Sequence, residues 1–487
     1  MPTVKIAHSL RVFSRMGKRR TVFSMGSKWV LGVDIGSTHI KVLGIDRTGK
    51  IVYRDQRAPR QITTDDGGFE QDPKEILQIV LQLIAECNQE AVVEAIAFSA
   101  AMHTCLVIDE AGNPLTNVWM WMDQRAADYA AELRNRGLDR LWYATTGCPV
   151  HPMSPAVKWL KLRELYPNGR PVSLKDWLFL RLTGKLITDY STAAASGMMN
   201  LRGHWDLDIL RWLRLSSQSL PPLQDMTFSL GQFVVGGSDG AMAHYGLGIA
   251  ADTLHAALTW GTSAAVRVTQ SDPIPDHFID TGSFAYFMGH ARGYLVGQAL
   301  SNAGNVLSWT AKLFGLAPSE VIRIGIEVAN TEDSLPHFVP YLYGERSPVW
   351  NAAMTGGFVA VRSHHDKVHL VAAVVVSLLA LLKGAVDRLE TAVGSVNNIT
   401  VGANLGRDTL WGQVVSTVLN RPLEQSASED ASVFGAALLA SQVVAWDISR
   451  QIIAPQILEP DVSWLRVQFR VAQETEWLNS EIFSPMS

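Results

Sequence analysis

The sequence has few cysteines, little charge and no long hydrophobic run. Its three cysteines, Cys87, Cys105 and Cys148, are widely spaced in 487 residues. They predict reduced thiols rather than a disulfide framework or a metal site. Charged residues make up 18% and the net charge is −4, which excludes a general basic surface, so no nucleic-acid partner is expected. The longest apolar run, Leu370–Leu382, is shorter than the about 20 residues of a membrane span. It predicts a buried helix and no membrane partner.

The first 25 residues differ in composition from the rest of the chain. They contain six basic residues and no acidic one. This composition is typical of an organelle transit peptide, but no amphipathic helix is visible. We favour a disordered basic leader at 1–25, or an upstream start ahead of a natural beginning near Met25. A cytoplasmic location is expected.

A strand–turn–strand pattern occurs twice, at 31–45 and at 256–268. Helical patterns follow each unit, at 73–87 and at 298–314, the first with apolar residues at helical spacing. Strands followed by helices in both halves predict two α/β domains of related design. We place the boundary near 244–256, and a cleft between such domains is a natural ligand site.

The two turns have matching polar residues, Gly36-Ser37-Thr38 in the first and Gly261-Thr262-Ser263 in the second. Such turns direct backbone N–H groups and hydroxyls into one concavity, which binds phosphate oxygens. One turn of this kind is usually a plain hairpin, but two matching turns indicate a polyphosphate held from both sides. Asp34, just before the first turn, is then a candidate Mg²⁺ ligand. The alternative for Asp34 is a turn-capping carboxylate.

A third glycine-rich stretch, Gly236-Gly237-Ser238-Asp239-Gly240, follows two valines. A hydroxyl that accepts a phosphoryl group needs a partner that takes its proton and orients it. Asp239 is our candidate for that general base. The alternative is an ordinary turn.

From about residue 28 to residue 440 the chain resembles the FGGY carbohydrate kinases, members of the actin/hexokinase/Hsp70-like superfamily. The two turns and GGSDG match its phosphate and catalytic motifs. Further matching segments are FSAAMHTCLVID (98–109), VPYLYGERSPVWN (339–351) and ASVFGAALLA (431–440). The run HPMSP within 145–160 is similar to that of gluconokinases.

The resemblance implies two ribonuclease-H-like α/β domains with a cleft between them. Residues 26–248 would bind the sugar and residues 249–487 the nucleotide, with ATP and Mg²⁺ as cofactors. Asp239 would be the base and Asp34 would hold Mg²⁺ through water, while both turns would line the phosphates. The substrate residues implied are Met102, His103, Asp123, Arg125 and Gly240, and the nucleotide loop implied is Gly402, Ala403 and Asn404.

The sugar residues have structural alternatives. His103 is a candidate hydrogen-bond partner for a sugar hydroxyl or a satisfied structural histidine. Arg125, His151 and Lys158 are candidate partners for a sugar-acid carboxylate, although Lys158 also fits a solvated helix face. A site built for hydroxyls rejects analogues that lack them.

Three features depart from the family pattern. Ala403-Asn404 replaces a Gly-Gly pair in the nucleotide loop, Val376 takes the place of a glutamate, and the segment 214–233 is shorter than usual. The phosphate turns and Asp239 are retained, so the chemistry is expected to be intact.

The leading hypothesis is therefore ATP-dependent phosphorylation of D-gluconate to 6-phosphogluconate. A homodimer is a further expectation. One alternative is another sugar such as D-xylulose, because WMDQR at 121–125 is closer to xylulokinases. A second alternative is a catalytically weak, sugar-binding kinase homologue, suggested by Ala403-Asn404 and Val376.

Overall fold

The computed structural model describes residues 27–249, 252–274, 276–402, 409–426, 430–448 and 456–483. Strands and helices are mixed in both halves of the chain. The strands of the first half are β1 (Lys28–Ile35), β2 (Ile40–Ile45), β3 (Ile51–Arg57), β4 (Ile62–Thr63), β5 (Phe69–Gln71), β6 (Val92–Ala100), β7 (Leu106–Ile108), β8 (Val118–Trp119), β9 (Arg170–Val172), β10 (Thr188–Asp189), β11 (Leu223–Gln224), β12 (Ser229–Leu230) and β13 (Phe233–Ser238). Its helices are α1 (Pro73–Glu90), α2 (Ala127–Asn135), α3 (Asp139–Thr146), α4 (Pro155–Leu165), α5 (Leu174–Thr183), α6 (Tyr190–Ala194), α7 (Leu207–Leu213) and α8 (Asp239–Gly246).

The second half has the same kind of organisation. Its strands are β14 (His255–Trp260), β15 (Ala264–Gln270), β16 (Phe284–Phe287), β17 (Tyr294–Leu300), β18 (His337–Val339), β19 (Gly357–Val359), β20 (Asn398–Val401), β21 (Leu423–Gln425) and β22 (Gln456–Leu458). Its helices are α9 (Gly304–Phe314), α10 (Pro318–Thr331), α11 (Lys367–Val393), α12 (Thr409–Leu419), α13 (Ala431–Val443) and α14 (Leu465–Trp477).

The two main sheets share one topology. The first has the strand order β12-β13-β6-β1-β2-β3, and the second has the order β16-β17-β15-β14-β20-β21-β22. In each sheet an antiparallel hairpin, β1–β2 or β14–β15, lies beside a parallel strand, β6 or β20. Both predicted strand–turn–strand units are therefore confirmed, as is the α/β fold of two related domains. Both hairpin turns lie at the cleft between the domains.

The helix predicted at 73–87 is confirmed as α1. Asp72 caps it by accepting a hydrogen bond from the Lys74 backbone N–H at 2.8 Å. The prediction of a helix over the whole of 298–314 was wrong at its start. Residues 298–300 belong to β17, where Gln298 pairs with Val266 of the neighbouring strand, and the helix begins at Gly304.

The apolar run near 370 lies in α11. By length and composition this helix is long and apolar enough to cross a membrane, but 78% of its most apolar window is buried within the protein. Val376, at 5% exposure, packs in this core. The prediction of a buried core helix is confirmed. All three cysteines are free thiols in buried positions.

Helix α13 crosses from the second half of the chain to pack on α8, and glycines allow their backbones to touch. A Cβ atom added to Gly246 would lie 1.9 Å from the Ala431 carbonyl oxygen, and one added to Gly435 would lie 2.0 Å from the Met242 carbonyl oxygen. Both clashes are with backbone atoms, so no side-chain rotation relieves them. This crossing holds the two halves together beside the cleft.

We expect Gly435→Ala to lower the free energy of unfolding by about 1 to 3 kcal/mol, since the helices must separate to admit the methyl group. Denaturant unfolding followed by circular dichroism measures the loss. Gly357→Ala is the matched control, because a Cβ atom there meets nothing within 4 Å. Equal stability of the two variants would contradict close packing of the helices.

Candidate active site

The cleft between the two sheets encloses about 1460 Å³, including space open to solvent. Residues from both halves of the chain line it. From the predicted phosphate turns these are Ser37, Gly261, Thr262 and Ser263. Gly36 and Thr38 lie in the same turn as Ser37. The two turns therefore lie on one cavity, as their matching sequences predicted.

Each turn is held by hydrogen bonds from outside it. Gln71, fully buried, donates a side-chain N–H to the Ser37 carbonyl oxygen at 2.8 Å. The second turn lies against the start of α9, where the Gly304 N–H donates to the Gly261 carbonyl oxygen at 3.0 Å. A Cβ atom at Gly304 would lie 2.5 Å from that oxygen, so only glycine permits this approach. The turns are thus fixed before any ligand binds, as an anion site requires.

Asp239 begins α8 at the floor of the cleft, directly after β13. One carboxylate oxygen accepts the backbone N–H of Met102 at 3.3 Å and of Gly240 at 2.9 Å. Burial raises the pKa of Asp239, and the nearby positive charge of Arg267 opposes that rise most strongly. A fixed carboxylate with a raised pKa is suited to accept a proton from a bound hydroxyl.

Asp34 ends β1 behind the first turn and is 7% exposed. The Ser99 hydroxyl donates to it at 2.6 Å. Burial raises the pKa of Asp34 to about 6, and the negative charge of Asp239 adds to that rise. Among the described residues there is no group of three or more metal-binding side chains. One or two carboxylates beside phosphates is the donor set that Mg²⁺ uses in kinases, so the residues present fit this ion.

Met102 and His103 follow β6 and line the cleft beside Asp239. His103 is buried, and burial lowers its pKa to about 3, so the imidazole is neutral. Its Nδ1–H donates to the Ala195 carbonyl oxygen at 2.8 Å, which leaves Nε2 as an acceptor facing Tyr286 at 3.5 Å. This arrangement suits a sugar hydroxyl as donor.

Asp123 and Arg125 are not brought to this cleft. Arg125 makes ion pairs with Asp123 at 2.6 Å and with Glu70 at 2.5 Å, and its guanidinium lies 3.8 Å from the Trp119 ring centroid. Asp123 also accepts the Phe69 backbone N–H at 3.0 Å. Their partners are therefore protein groups, although both were predicted near the sugar.

Lys158 is neither solvated nor available to a substrate. It is fully buried, and its ammonium donates to the carbonyl oxygens of His103 and Met120, each at 2.7 Å. It supports the loop that carries His103. His151 is 5% exposed, and its Nδ1 accepts the Met153 backbone N–H. Burial keeps the pKa of His151 well below its usual value, so it brings no positive charge.

Two arginines that the sequence reasoning missed line the cleft, Arg267 and Arg346. The Nη1–H of Arg267 donates to the Thr259 hydroxyl at 3.2 Å, while its buried Nε has no hydrogen-bond partner among the residues that the structure describes. Arg267 lies in the second strand–turn–strand unit at 256–268, and Arg346 lies in the family-matching segment 339–351. For Arg267 the sequence did contain a signal, because it is the one charged residue in an otherwise uncharged strand, β15.

The predicted nucleotide loop is described only at its start. Gly402 lines the cleft and donates its N–H to the Leu258 carbonyl oxygen at 3.0 Å. Ala403 and Asn404 lie outside the described residues. Gly240 lies beside Met102 and Arg267, since an added Cβ atom would be 2.3 Å from the Met102 Cε and 3.3 Å from the Arg267 Nε.

Two related domains, a phosphate-type turn from each and a buried carboxylate between them define the class: a kinase that acts on a small hydroxyl compound. The family models described as the N-terminal and C-terminal domains of the FGGY family of carbohydrate kinases match residues 29–247 and 256–443. The chain belongs to this family and is an ATP-dependent carbohydrate kinase.

Individual relatives differ in their sugar. The gluconokinase of Bacillus subtilis (strain 168) is 29% identical over 458 residues, which is 85% of this chain and 87% of that protein. The crystal structure of a gluconate kinase from Lactobacillus acidophilus has a TM-score of 0.84 at 26% identity, covering 95% of this chain and 100% of that one. A ligand-bound xylulose kinase from the same organism has the same TM-score and identity, covering 94% and 100%.

Proposed function

We propose that the protein transfers the γ-phosphoryl group of ATP to the 6-hydroxyl of D-gluconate. The observation that carries the choice of a sugar acid is the charge of the cleft. The cleft lining contains the ion pair Lys41–Asp430. Apart from that pair it has two arginines, Arg267 and Arg346, and one carboxylate, the predicted base Asp239. The buried neighbour Glu345 has its pKa raised to about 7 by burial, which weakens it as a counter-charge. A cleft with surplus positive charge favours an anionic acceptor.

In the proposed reaction Asp239 takes the proton of the 6-hydroxyl as its oxygen attacks the γ-phosphorus. The bond from that phosphorus to the oxygen bridging the β- and γ-phosphates breaks, and ADP leaves. His103 accepts a hydrogen bond from a hydroxyl of gluconate and so positions the open-chain substrate. The turns at 36–38 and 261–263 donate to phosphate oxygens, so the rate comes mainly from positioning and electrostatics. Domain closure would exclude water as a competing acceptor.

Asp34 would hold Mg²⁺ through water, and the ion would neutralise charge on the phosphates. Gly402 would lie against the nucleotide, with Ala403 and Asn404 beyond it. Met102 and Gly240 would contact the sugar. Asp123 and Arg125 would stabilise the fold by holding their loops together, without contact to the sugar. A cytoplasmic location and a homodimer remain predictions.

D-xylulose is the second candidate, favoured by the similarity to xylulose kinase and by the segment at 121–125. We place it second because a neutral ketose leaves the cationic surplus of the cleft without a partner. The hypothesis of a catalytically weak, sugar-binding homologue was based on Val376, which packs in the core, and on residues 403 and 404, which lie outside the described residues.

Phosphorus NMR of the product tests the proposal. With Mg-ATP and D-gluconate we expect a phosphomonoester coupled to the two C6 protons, formed together with ADP. A phosphoester at another carbon would overturn the position of transfer. If calorimetry shows that gluconate binds but no ADP forms in the assay, the catalytically weak homologue would be favoured.

A further inference from the structure

Arg346 is held as a rigid fork in the cleft. Its Nε–H donates to the Ser301 hydroxyl at 3.2 Å and its Nη2–H to the Leu300 carbonyl oxygen at 2.5 Å. The adjacent Ser347 exchanges two hydrogen bonds with the Ala299 backbone, each 2.9 Å long. The guanidinium is therefore oriented before any ligand arrives. These two bonds use Nε–H and one Nη2–H, so the N–H groups left for a ligand are those of Nη1 and the second one of Nη2. Since Arg binds carboxylates through a planar pair of N–H groups, fixing the guanidinium lowers the entropy that binding costs.

No carboxylate in the described part of the chain lies within ion-pair distance of Arg346. Glu345 is its sequence neighbour, but that carboxylate accepts the Arg346 backbone N–H at 2.7 Å rather than a guanidinium N–H. A largely buried charge without a paired opposite charge is costly. The carboxylates of Glu345 and Asp239 act on Arg346 through their charge but do not contact the guanidinium, so a bound anion would supply a direct partner.

The walls around Arg346 suit one end of a polyhydroxy acid. The Trp121 ring centroid lies 5.2 Å from the guanidinium carbon and Trp350 lines the same cleft. His103 and His151 lie near enough for the positive charge of Arg346 to lower their pKa values, and both are neutral. The Arg346 guanidinium can bind one carboxylate, and the neutral imidazoles can form hydrogen bonds with hydroxyls beside the aromatic rings.

Arg346 is also separated from the reacting end of the cleft. Arg267 is the group whose charge acts most strongly on Asp239, and Arg346 acts more weakly. No hydrogen bond joins Arg346 to Asp239 within the described residues. A substrate whose hydroxyl lies at Asp239 can therefore extend its other end toward Arg346.

We propose that Arg346 binds the carboxylate of the acceptor and so makes the cleft selective for aldonic acids over neutral sugars and polyols. This inference rests on the proposed function and names the residue that sets its substrate class. Arg125 and Lys158, which the sequence suggested for this role, already have protein partners.

The test compares wild type, Arg346→Gln and Arg346→Lys in steady-state kinetics with D-gluconate, and with D-glucitol as its neutral counterpart. We expect Arg346→Gln to raise the KM for gluconate about 10²-fold. The KM for ATP and kcat should stay within about threefold. Arg346→Lys, which keeps the charge but loses the fork, should fall between. The preference of wild type for gluconate over glucitol should collapse in the Gln variant.

Arg134→Gln is the matched control. Arg134 donates to the Val150 and Trp350 carbonyl oxygens but does not line the cleft. We expect it to leave the gluconate KM near that of wild type. A loss in Arg346→Gln that falls equally on kcat, the KM for ATP and the KM for gluconate would overturn the inference, because a structural role predicts that pattern.

The two proposals fail in distinguishable ways. If wild type does not phosphorylate gluconate, the proposed function is wrong, and calorimetric binding of gluconate to wild type and Arg346→Gln then decides the role of Arg346. Tight binding by wild type alone supports it. Equal binding by both, or binding by neither, overturns it. Circular dichroism and the Tm of each variant show that the comparison is between folded proteins.

Discussion

Asp239→Asn is expected to lower kcat by about 10²- to 10⁴-fold, the range for loss of a general base. The asparagine oxygen can still accept the N–H groups of Met102 and Gly240 that position the aspartate. It cannot take the proton of the attacking hydroxyl. We therefore expect the Kd of the sugar, measured by calorimetry, to stay within about threefold of that of wild type.

Asp123→Asn is the matched control, an Asp-to-Asn change in the same half of the chain. Asp123 pairs with Arg125 and lies outside the cleft, so its loss should lower the Tm while kcat stays near normal. Near-normal turnover by Asp239→Asn would remove Asp239 from the role of base. An equal fall in kcat for both variants would indicate general damage to the domain.

Arg267→Gln is expected to move the acid limb of the pH–rate profile to higher pH. Asp239 must be ionised to act as a base, and burial raises its pKa while the charge of Arg267 lowers it. Without that charge the pKa rises further, so activity is lost first at low pH and retained longest at high pH. An opposite charge at close range moves a pKa by about 1 to 3 pH units, which sets the size of the expected displacement.

The measurement is kcat against pH with saturating ATP and sugar. The other charges near Asp239 are those of Arg346 and Asp34, and both remain in the variant. Arg267→Lys keeps a positive charge, so the acid limb of its pH–rate profile should lie close to that of wild type. An unchanged limb in Arg267→Gln, together with a uniform fall in kcat, would show that Arg267 acts through structure alone.

The parts of the site that the sequence predicted are those set by local structure. A hairpin turn is specified by its own residues, so both turns, at 36–38 and 261–263, were predicted where the structure has them. Asp239 was proposed as the base because glycines on both sides leave room for a ligand at a strand end, and the structure places it in the cleft. Helix α1 was predicted from its apolar spacing.

The parts that the sequence did not predict depend on distant partners. The helical spacing of Lys158 also fitted a solvated face, but the carbonyl oxygens of His103 and Met120, both distant in sequence, bind its buried ammonium. Arg125 forms an ion pair with Glu70, which lies 55 positions earlier, and therefore does not reach the cleft. The start of α9 was misplaced because residues 298–300 complete a sheet with β15, a pairing that helical spacing does not show.

The arginines of the cleft were missed for the same reason. Arg267 becomes informative once β15 places it beside Asp239, and Arg346 once its turn is fixed against β17. The positive charge of Arg267 within an apolar stretch was visible in the sequence, but its proximity to Asp239 was not.

The measurement that tests the central claim most directly is ADP release with Mg-ATP and D-gluconate, D-xylulose, glycerol, D-ribulose or no sugar, with Asp239→Asn as the blank. We predict release that depends on gluconate and is absent from the blank. Release with D-xylulose but not with gluconate would keep the fold and the base but contradict the acid substrate. No release with any acceptor, in a protein that still binds gluconate, would contradict the account of the cleft as a working kinase site.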